Sequence, residues 1–196
     1  MASILKVDTI QDQSGNNIIN ENAGTITIGK SGDTVNLASG ATNNLGITEA
    51  DMWRLTADIT ADVNPIASNL ERVDDASFSK IGTGMSVASG TWTFPQTGLY
   101  YVSVKSRILA SLDNVSVYIN GTINNSTYDL LVSTIASGAS GSFLNDAIGF
   151  NYVNVTDTSN VKVRFSASSI AAGSSVGGSS SDNQTTFTFI RLGDSQ

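Results

Sequence analysis

Any chemistry in this chain has to run on carboxylates. Its 196 residues include 17 Asp and Glu and 10 Lys and Arg, but no His and no Cys. Without imidazole or thiolate, Ser-His-Asp and Cys-His nucleophiles, His-containing zinc sites and disulfides cannot be assembled, and a histidine pH switch is excluded. The carboxylates that draw notice are the adjacent Asp74 and Asp75, and Asp146 and Asp157 in or beside turns. A glycosidase needs two carboxyls about 5–10 Å apart across a cleft. Solvated turn carboxylates explain these residues better, so no catalytic residue is assigned and the chain is read as a non-enzyme. Asp157-Thr158-Ser159-Asn160 offers oxygens for calcium, as do Asp74 and Asp75, but EF-hand spacing is absent. Turn capping accounts for them, so no metal and no cofactor are assigned. Gly82-Thr83-Gly84 lacks the Lys and the spacing of a phosphate loop and reads as a turn.

Charge narrows the partners. A net charge of −7 opposes nucleic acid, which calls for clustered Lys and Arg; here Lys6, Arg54, Lys105, Arg164 and Arg191 are scattered. An acidic surface also suits an anionic membrane poorly, and no segment has the length of a membrane span, so membrane insertion is not expected. The start, MASILKVDTI, has no long apolar region or cleavage site. Synthesis in a cytoplasm is expected, with release by lysis or a non-standard route. Asn114-Val115-Ser116 and Asn154-Val155-Thr156 are chance triplets in a chain rich in Asn, Ser and Thr.

The elements that must position any site are strands. Residues 4–39 form short alternating runs broken at Ser14-Gly15-Asn16, Ala23-Gly24 and Ser31-Gly32-Asp33. They hold few Ile, Val or Leu and no aromatic ring. At about 25 cal/mol per Å², so thin a stripe cannot offset roughly 1–2 kcal/mol of backbone entropy per residue. It has to meet another copy of itself or a partner. Residues 40–46 read as a linker, which divides the chain into an attachment and trimerisation stalk, residues 1–46, and a head, residues 47–196.

The head starts with a weak helix signal over residues 47–52, then alternates through Trp53, Leu55, Ala57 and Ile59. Strands are expected at Phe78 and Ile81, at Met85 and Val87, and over residues 90–95. A long strand has Tyr100, Val102, Val104 and Ile108 on one face and Tyr101, Ser103, Lys105 and Arg107 on the other. Val115, Val117 and Ile119 lead to a hairpin turn at Asn120-Gly121. Further runs cover residues 128–135 and 143–155, the latter with Ile148, Phe150 and Tyr152 in phase. Val161, Val163, Phe165 and Ala167 then alternate with Lys162, Arg164 and Ser166, and Phe187 and Phe189 close the domain. Eight to ten such strands spell an all-β sandwich or barrel. Residues 166–182, dominated by Ser, Gly and Ala, break the rhythm as a solvated tip or a recognition loop.

Thr91-Trp92-Thr93-Phe94-Pro95-Gln96-Thr97-Gly98-Leu99-Tyr100-Tyr101, Val117-Tyr118-Ile119-Asn120-Gly121 and Phe187-Thr188-Phe189-Ile190-Arg191-Leu192 follow one another as in a known fold. They resemble the jelly roll of complement globular heads and tumour necrosis factor ligands. That family is usually secreted and often carries Cys, which this chain lacks. The N-terminal phrases resemble virion structural proteins of tailed phages of marine cyanobacteria: Ser3-Ile4-Leu5-Lys6-Val7-Asp8-Thr9-Ile10-Gln11-Asp12, Ser14-Gly15-Asn16-Asn17-Ile18-Ile19-Asn20 and Gly32-Asp33-Thr34-Val35-Asn36-Leu37. The two resemblances imply a homotrimer and a phage fibre, head fibre or decoration protein. The virion surface is then its place, and other virion proteins are its partners through residues 1–46.

Apolar residues on both faces of the closing strand, and Tyr101 opposite its strand's apolar face, point to a subunit interface. Tyr101, Tyr152, Phe187 and Phe189 are its candidate residues. Recognition of a host-surface glycan or protein is expected from loops at residues 120–127 and 168–181, with Asn124, Asn125, Ser174, Val176 and Ser180 as candidates. A capsid cement role, in which the jelly roll clamps coat subunits, is the alternative; a bacterial surface lectin is more distant.

Overall fold

The computed structural model describes residues 9–23, 25–29, 31–35, 46–138 and 141–196. Residues 3–8, 36, 37 and 40–45, which carry parts of the N-terminal phrases and of the linker, lie outside them. Two compact units divide the chain, Met1–Asn43 and Asn44–Gln196. Every regular element among the described residues is a strand.

The first unit is an antiparallel meander of β1 (Thr9–Gln11), β2 (Asn17–Asn22) and β3 (Thr25–Ile28). Asp12 builds its first turn: one carboxylate oxygen accepts the N–H groups of Ser14 and Asn16, each at 2.9 Å. Register places Ile10, Ile19 and Ile28 in one row across the three strands. They remain 42%, 38% and 56% exposed, and none of the residues between 9 and 35 whose burial is described is buried.

The second unit is a sandwich of two antiparallel sheets, and its strands form where alternation gives each one apolar face. One sheet has the order β10 (Asp129–Ser137), β9 (Asn114–Thr122), β12 (Lys162–Ser168), β7 (Thr91–Thr93), β6 (Ser86–Ala88). The other runs β11 (Ser142–Val155), β8 (Gly98–Ser111), β14 (Thr186–Gly193), β4 (Ala50–Leu55), β5 (Leu70–Arg72), with the short β13 (Ser175–Val176) added to β8. Between them Trp92 is wholly buried, with ring centroids of Phe189, Trp53, Phe187 and Phe165 at 5.0, 5.2, 5.7 and 5.9 Å. Its indole N–H has no acceptor, so its hold on the core is apolar.

Three local expectations are corrected. The helix signal at residues 47–52 gives way to β4, because tertiary pairing with β14 overrides a weak cap. Phe78 and Ile81 form no strand; one bridge joins Ala50 to Ile81. Asn120-Gly121 is not the turn. β9 continues to Thr122, and the chain reverses at residues 123–128. Gly121 lies inside the strand instead, where a Cβ would stand 2.6 Å from Leu131 Cδ1, the end of a partly exposed side chain.

Candidate functional site

β8 is the spine of the six-stranded sheet. Tyr100, Val102, Val104, Ser106, Ile108 and Ala110 are buried between the sheets, so the odd-numbered residues from Leu99 to Leu109 face outward. β11 pairs with β8 along its whole length without a bulge, which fixes the parity of every partner. Tyr152 lies opposite Tyr101, Phe150 opposite Ser103, Ile148 opposite Lys105, and Leu144 opposite Leu109. β14 adds Ile190 beside Tyr101, and β4 adds Met52 beside Thr188.

The outward face therefore carries an apolar cluster at its Tyr101–Tyr152 end. Tyr101 stacks on Phe150 at 5.4 Å, and Tyr152 stands 6.2 Å from each ring. Leu144, Ile148, Phe150 and Tyr152 are 58%, 68%, 53% and 57% exposed. An antiparallel sheet with one face in water normally shows polar side chains there; a contiguous apolar face of this kind marks an interaction surface. Lys105, paired with Asp146 at 3.6 Å, interrupts the middle.

The face holds Tyr101 and Tyr152 but not the other two interface candidates. Phe187 and Phe189 are 0% and 1% exposed and pack on Trp92 and Phe165. Both faces of β14 are apolar, so composition alone leaves the parity open; register on β8 sends Phe187 and Phe189 inward with Val104 and Val102, and Ile190 outward with Tyr101. Ile148 and Phe150, in phase with Tyr152 in the sequence, and Leu144 were not among the interface candidates. The signal was present in the period-two run of β11.

No protein-family model matches the chain, and no curated protein matches it. Solved structures match its path. The Eiger TNF from S. frugiperda aligns at a TM-score of 0.56 and 15% identity, over 77% of this chain and 96% of its own. Murine APRIL at pH 5.0 aligns at 0.54 and 13%, over 74% and 99%. The crystal form of murine APRIL at pH 8.5 gives 0.53 and 12%, over 74% and 98%. The head is a tumour-necrosis-factor-type jelly roll. At these identities the likeness concerns the fold alone.

In this TNF-type head the two expected recognition loops differ. The turn at residues 123–128 is exposed. Its Asn124 carboxamide oxygen accepts from the N–H groups of Ser126 and Thr127 and from the Thr122 and Ser126 hydroxyls, so Asn124 shapes the loop. Asn125, at φ 53°, donates its N–H to the Asn160 carbonyl. Between this turn and the end of β11 opens a groove of about 500 Å³, walled by Ile123, Asn124, Leu131, Tyr152, Val153 and Val161. It joins an interface candidate, Tyr152, to a loop candidate, Asn124.

The segment at residues 168–181 is stitched down. Val176 is fully buried, pairs with Ile108 of β8, and exchanges backbone hydrogen bonds with Ile59 at 2.9 Å each way. Ser174 is 4% exposed, and its hydroxyl accepts the Ser111 N–H at 2.9 Å. Neither can act as a free recognition residue. Ser180 is exposed, but its carbonyl accepts from Arg54 at 2.5 Å.

The carboxylates serve structure. Arg54, 1% exposed, pairs with Glu71 at 2.7 Å, Asp74 at 2.5 Å and Asp75 at 3.2 Å. Burial lowers its pKa, but hydrogen bonds and charge from those acids outweigh this and raise it. Asp51 is buried and receives the Arg72 guanidinium, the Trp53 indole N–H and the Met85 N–H. Buried Glu49 accepts the Thr83 and Gly84 N–H groups, so the Gly82-Thr83-Gly84 turn binds a carboxylate of this chain. Burial, and then the Glu49 charge, push Tyr100 up to about 12. Asp157 accepts the Ser159 N–H and the Asn160 amide, which hold its carboxyl below the usual range. Burial lowers the pKa of Lys162, although Asp157 opposes this. No group of three or more acids among the described residues is arranged to hold a metal.

Proposed function

We propose that this chain is a non-enzymatic structural and display protein that acts as a homotrimer. The observation that carries this reading is the outward Tyr101–Phe150–Tyr152 cluster, flanked by Ile148 and Ile190, on a single subunit. A second copy that covers it removes apolar surface from water at roughly 25 cal/mol per Å². Closed rotational symmetry satisfies every copy at once, whereas an open arrangement would leave one face bare and grow fibres. The N-terminal meander adds to the argument, because none of its residues whose burial is described is buried, and it gains a core against other copies or a partner.

In this reading residues 1–46 attach the trimer to a larger particle, and the head projects for adhesion to a host-surface glycan or protein. Likeness of the N-terminal phrases to cyanophage virion proteins supports a phage as the particle, with the protein on its surface. A second reading, a cement between coat subunits, draws on the edge strand β10, where Leu130 and Ile135 are 60% and 61% exposed.

Sedimentation equilibrium on the full chain tests assembly. A mass three times 20.4 kDa is expected; a monomer at micromolar concentration, with residues 1–46 protected from protease, would sink the proposal. Labelled antibody on intact particles separates the two placements. It should decorate projecting fibres for adhesion and the icosahedral lattice for cement.

A further inference from the structure

The outer face of the five-stranded sheet carries a site of different chemistry. Its outward strand residues include Ser116, Tyr118, Asn120 and Thr122 on β9, Thr91 and Thr93 on β7, and Lys162, Arg164, Ser166 and Ser168 on β12. The two charged residues in this set are both basic, in a chain whose net charge is −7. Lys162 is already engaged, donating to the Thr93 hydroxyl at 2.9 Å and the Thr158 carbonyl at 2.6 Å.

Arg164 is not. Its guanidinium lies 3.8 Å from the centroid of the Tyr128 ring and donates through Nε to the Thr91 hydroxyl at 2.9 Å. Neither terminal nitrogen has an acceptor, and no carboxylate pairs with it among the described residues. Stacking fixes the plane of the fork, so two N–H donors are oriented in advance, as bidentate capture of a carboxylate requires.

Asn120 lies directly opposite Arg164 in register. It also helps line a depression of about 320 Å³ with Tyr118, Ser166, Ser168, Leu130 and Asn64. Tyr118 and Ser168 share a hydrogen bond of 3.0 Å between their hydroxyls. The lining thus offers two amides, the Tyr118 and Ser168 hydroxyls and an aromatic ring, which suit the hydroxyls and the apolar face of a pyranose; Ser166 is 5% exposed and turns its hydroxyl to Asn120 Oδ1 at 3.5 Å. Successive outward residues on β12 stand about 7 Å apart, roughly one sugar unit from Arg164 to Ser166.

The geometry points to an acidic saccharide as the ligand: its carboxylate on the Arg164 fork, and its hydroxyls on Asn120, Tyr118 and Ser168. This rests on the surface-recognition reading above and moves recognition from the loops to a sheet face. A neutral sugar would leave the guanidinium unanswered, and the acidic chain would repel an anion elsewhere.

Calorimetric titration of the full chain with trigalacturonate, maltotriose and inorganic sulfate tests it. Trigalacturonate should bind and maltotriose should not. Arg164→Ala should weaken trigalacturonate about tenfold or more, Asn120→Ala should weaken it less, and neither should change the sedimenting mass. Should Arg164→Ala fail to fold, Arg164→Lys keeps the charge, loses the stacked fork and should still bind more weakly. The proposal falls if maltotriose binds equally, if the Arg164 variants bind as wild type, if no saccharide binds, or if sulfate matches trigalacturonate (an adventitious ion only). A trimer indifferent to trigalacturonate sinks the site and leaves the assembly; a monomer that binds it does the reverse.

Discussion

The two sheets of the head share one core and turn opposite outer faces to the surroundings. The six-stranded sheet shows Tyr101, Phe150, Tyr152, Ile148 and Leu144. Its five-stranded partner shows Ser, Thr and Asn with a stacked arginine, and the apolar Leu130 and Ile135 only at its β10 edge. The fold explains neither face, because the inward residues of both sheets build the sandwich; the outward residues are free to specify partners. Two neighbouring tyrosines make the same point at the scale of one bond. Tyr100 points into the core and meets Phe94 at 4.7 Å, while Tyr101 points out and meets Phe150.

The strongest test strikes what both faces share. Trp92→Ala should cost about 3–5 kcal/mol in urea or thermal unfolding and abolish self-association and ligand binding together. If one face survives, the faces do not depend on a common core. Next, Phe150→Asp should raise the dissociation constant of the assembly about a hundredfold or more, read by sedimentation. Ile135→Asp, on the other sheet, should leave the mass unchanged and stability within about 0.5 kcal/mol. Equal responses would erase the distinction between the faces.

Smaller effects sharpen it. The folded pKa of Tyr100 is raised from 10.0 to about 12, so its contribution to stability is fully present below pH 10 and is lost as pH rises through 12. Tyr100→Phe should flatten that alkaline decline, at a cost near neutrality of about 1 kcal/mol for the lost bond to the Gln96 carbonyl; an unchanged alkaline limb would count against its burial. Last, Asp157 has a depressed folded pKa. Its contribution is present above the unfolded pKa of a carboxyl and lost as pH falls through the folded one. Asp157→Ala should therefore be less stable than wild type at pH 7, with the deficit closing in acid melts.

Strands with one buried face were legible in the sequence: Val102, Val104 and Ile108 of β8, and Val163, Phe165 and Ala167 of β12, alternate with polar residues and are buried as the pattern implies. Legibility failed where a pattern had two solutions. β14 is apolar on both faces, so Phe187 and Phe189 were exchanged with Ile190 in role. Gly121 lies inside β9, though its dipeptide spells a turn. Val176 sat in a Ser- and Gly-rich run whose composition hides its pairing with β8 and Ile59. The contacts that fix Arg54 come from residues 17 to 21 positions away in the chain, and from Ser180 and Asn183 on a distant segment. No local rule reports them. Arg164 was visible as one member of an alternating run, but its unanswered charge appears only when neighbouring strands are laid beside it.

The strand order has a temporal consequence. β14 lies between β8 and β4 in the six-stranded sheet, yet the ribosome makes it after every other strand of the head. Until it arrives, β4 and β5 have no path to β8, and the sheet that bears the aromatic face stays divided. Non-local closure of this kind slows folding.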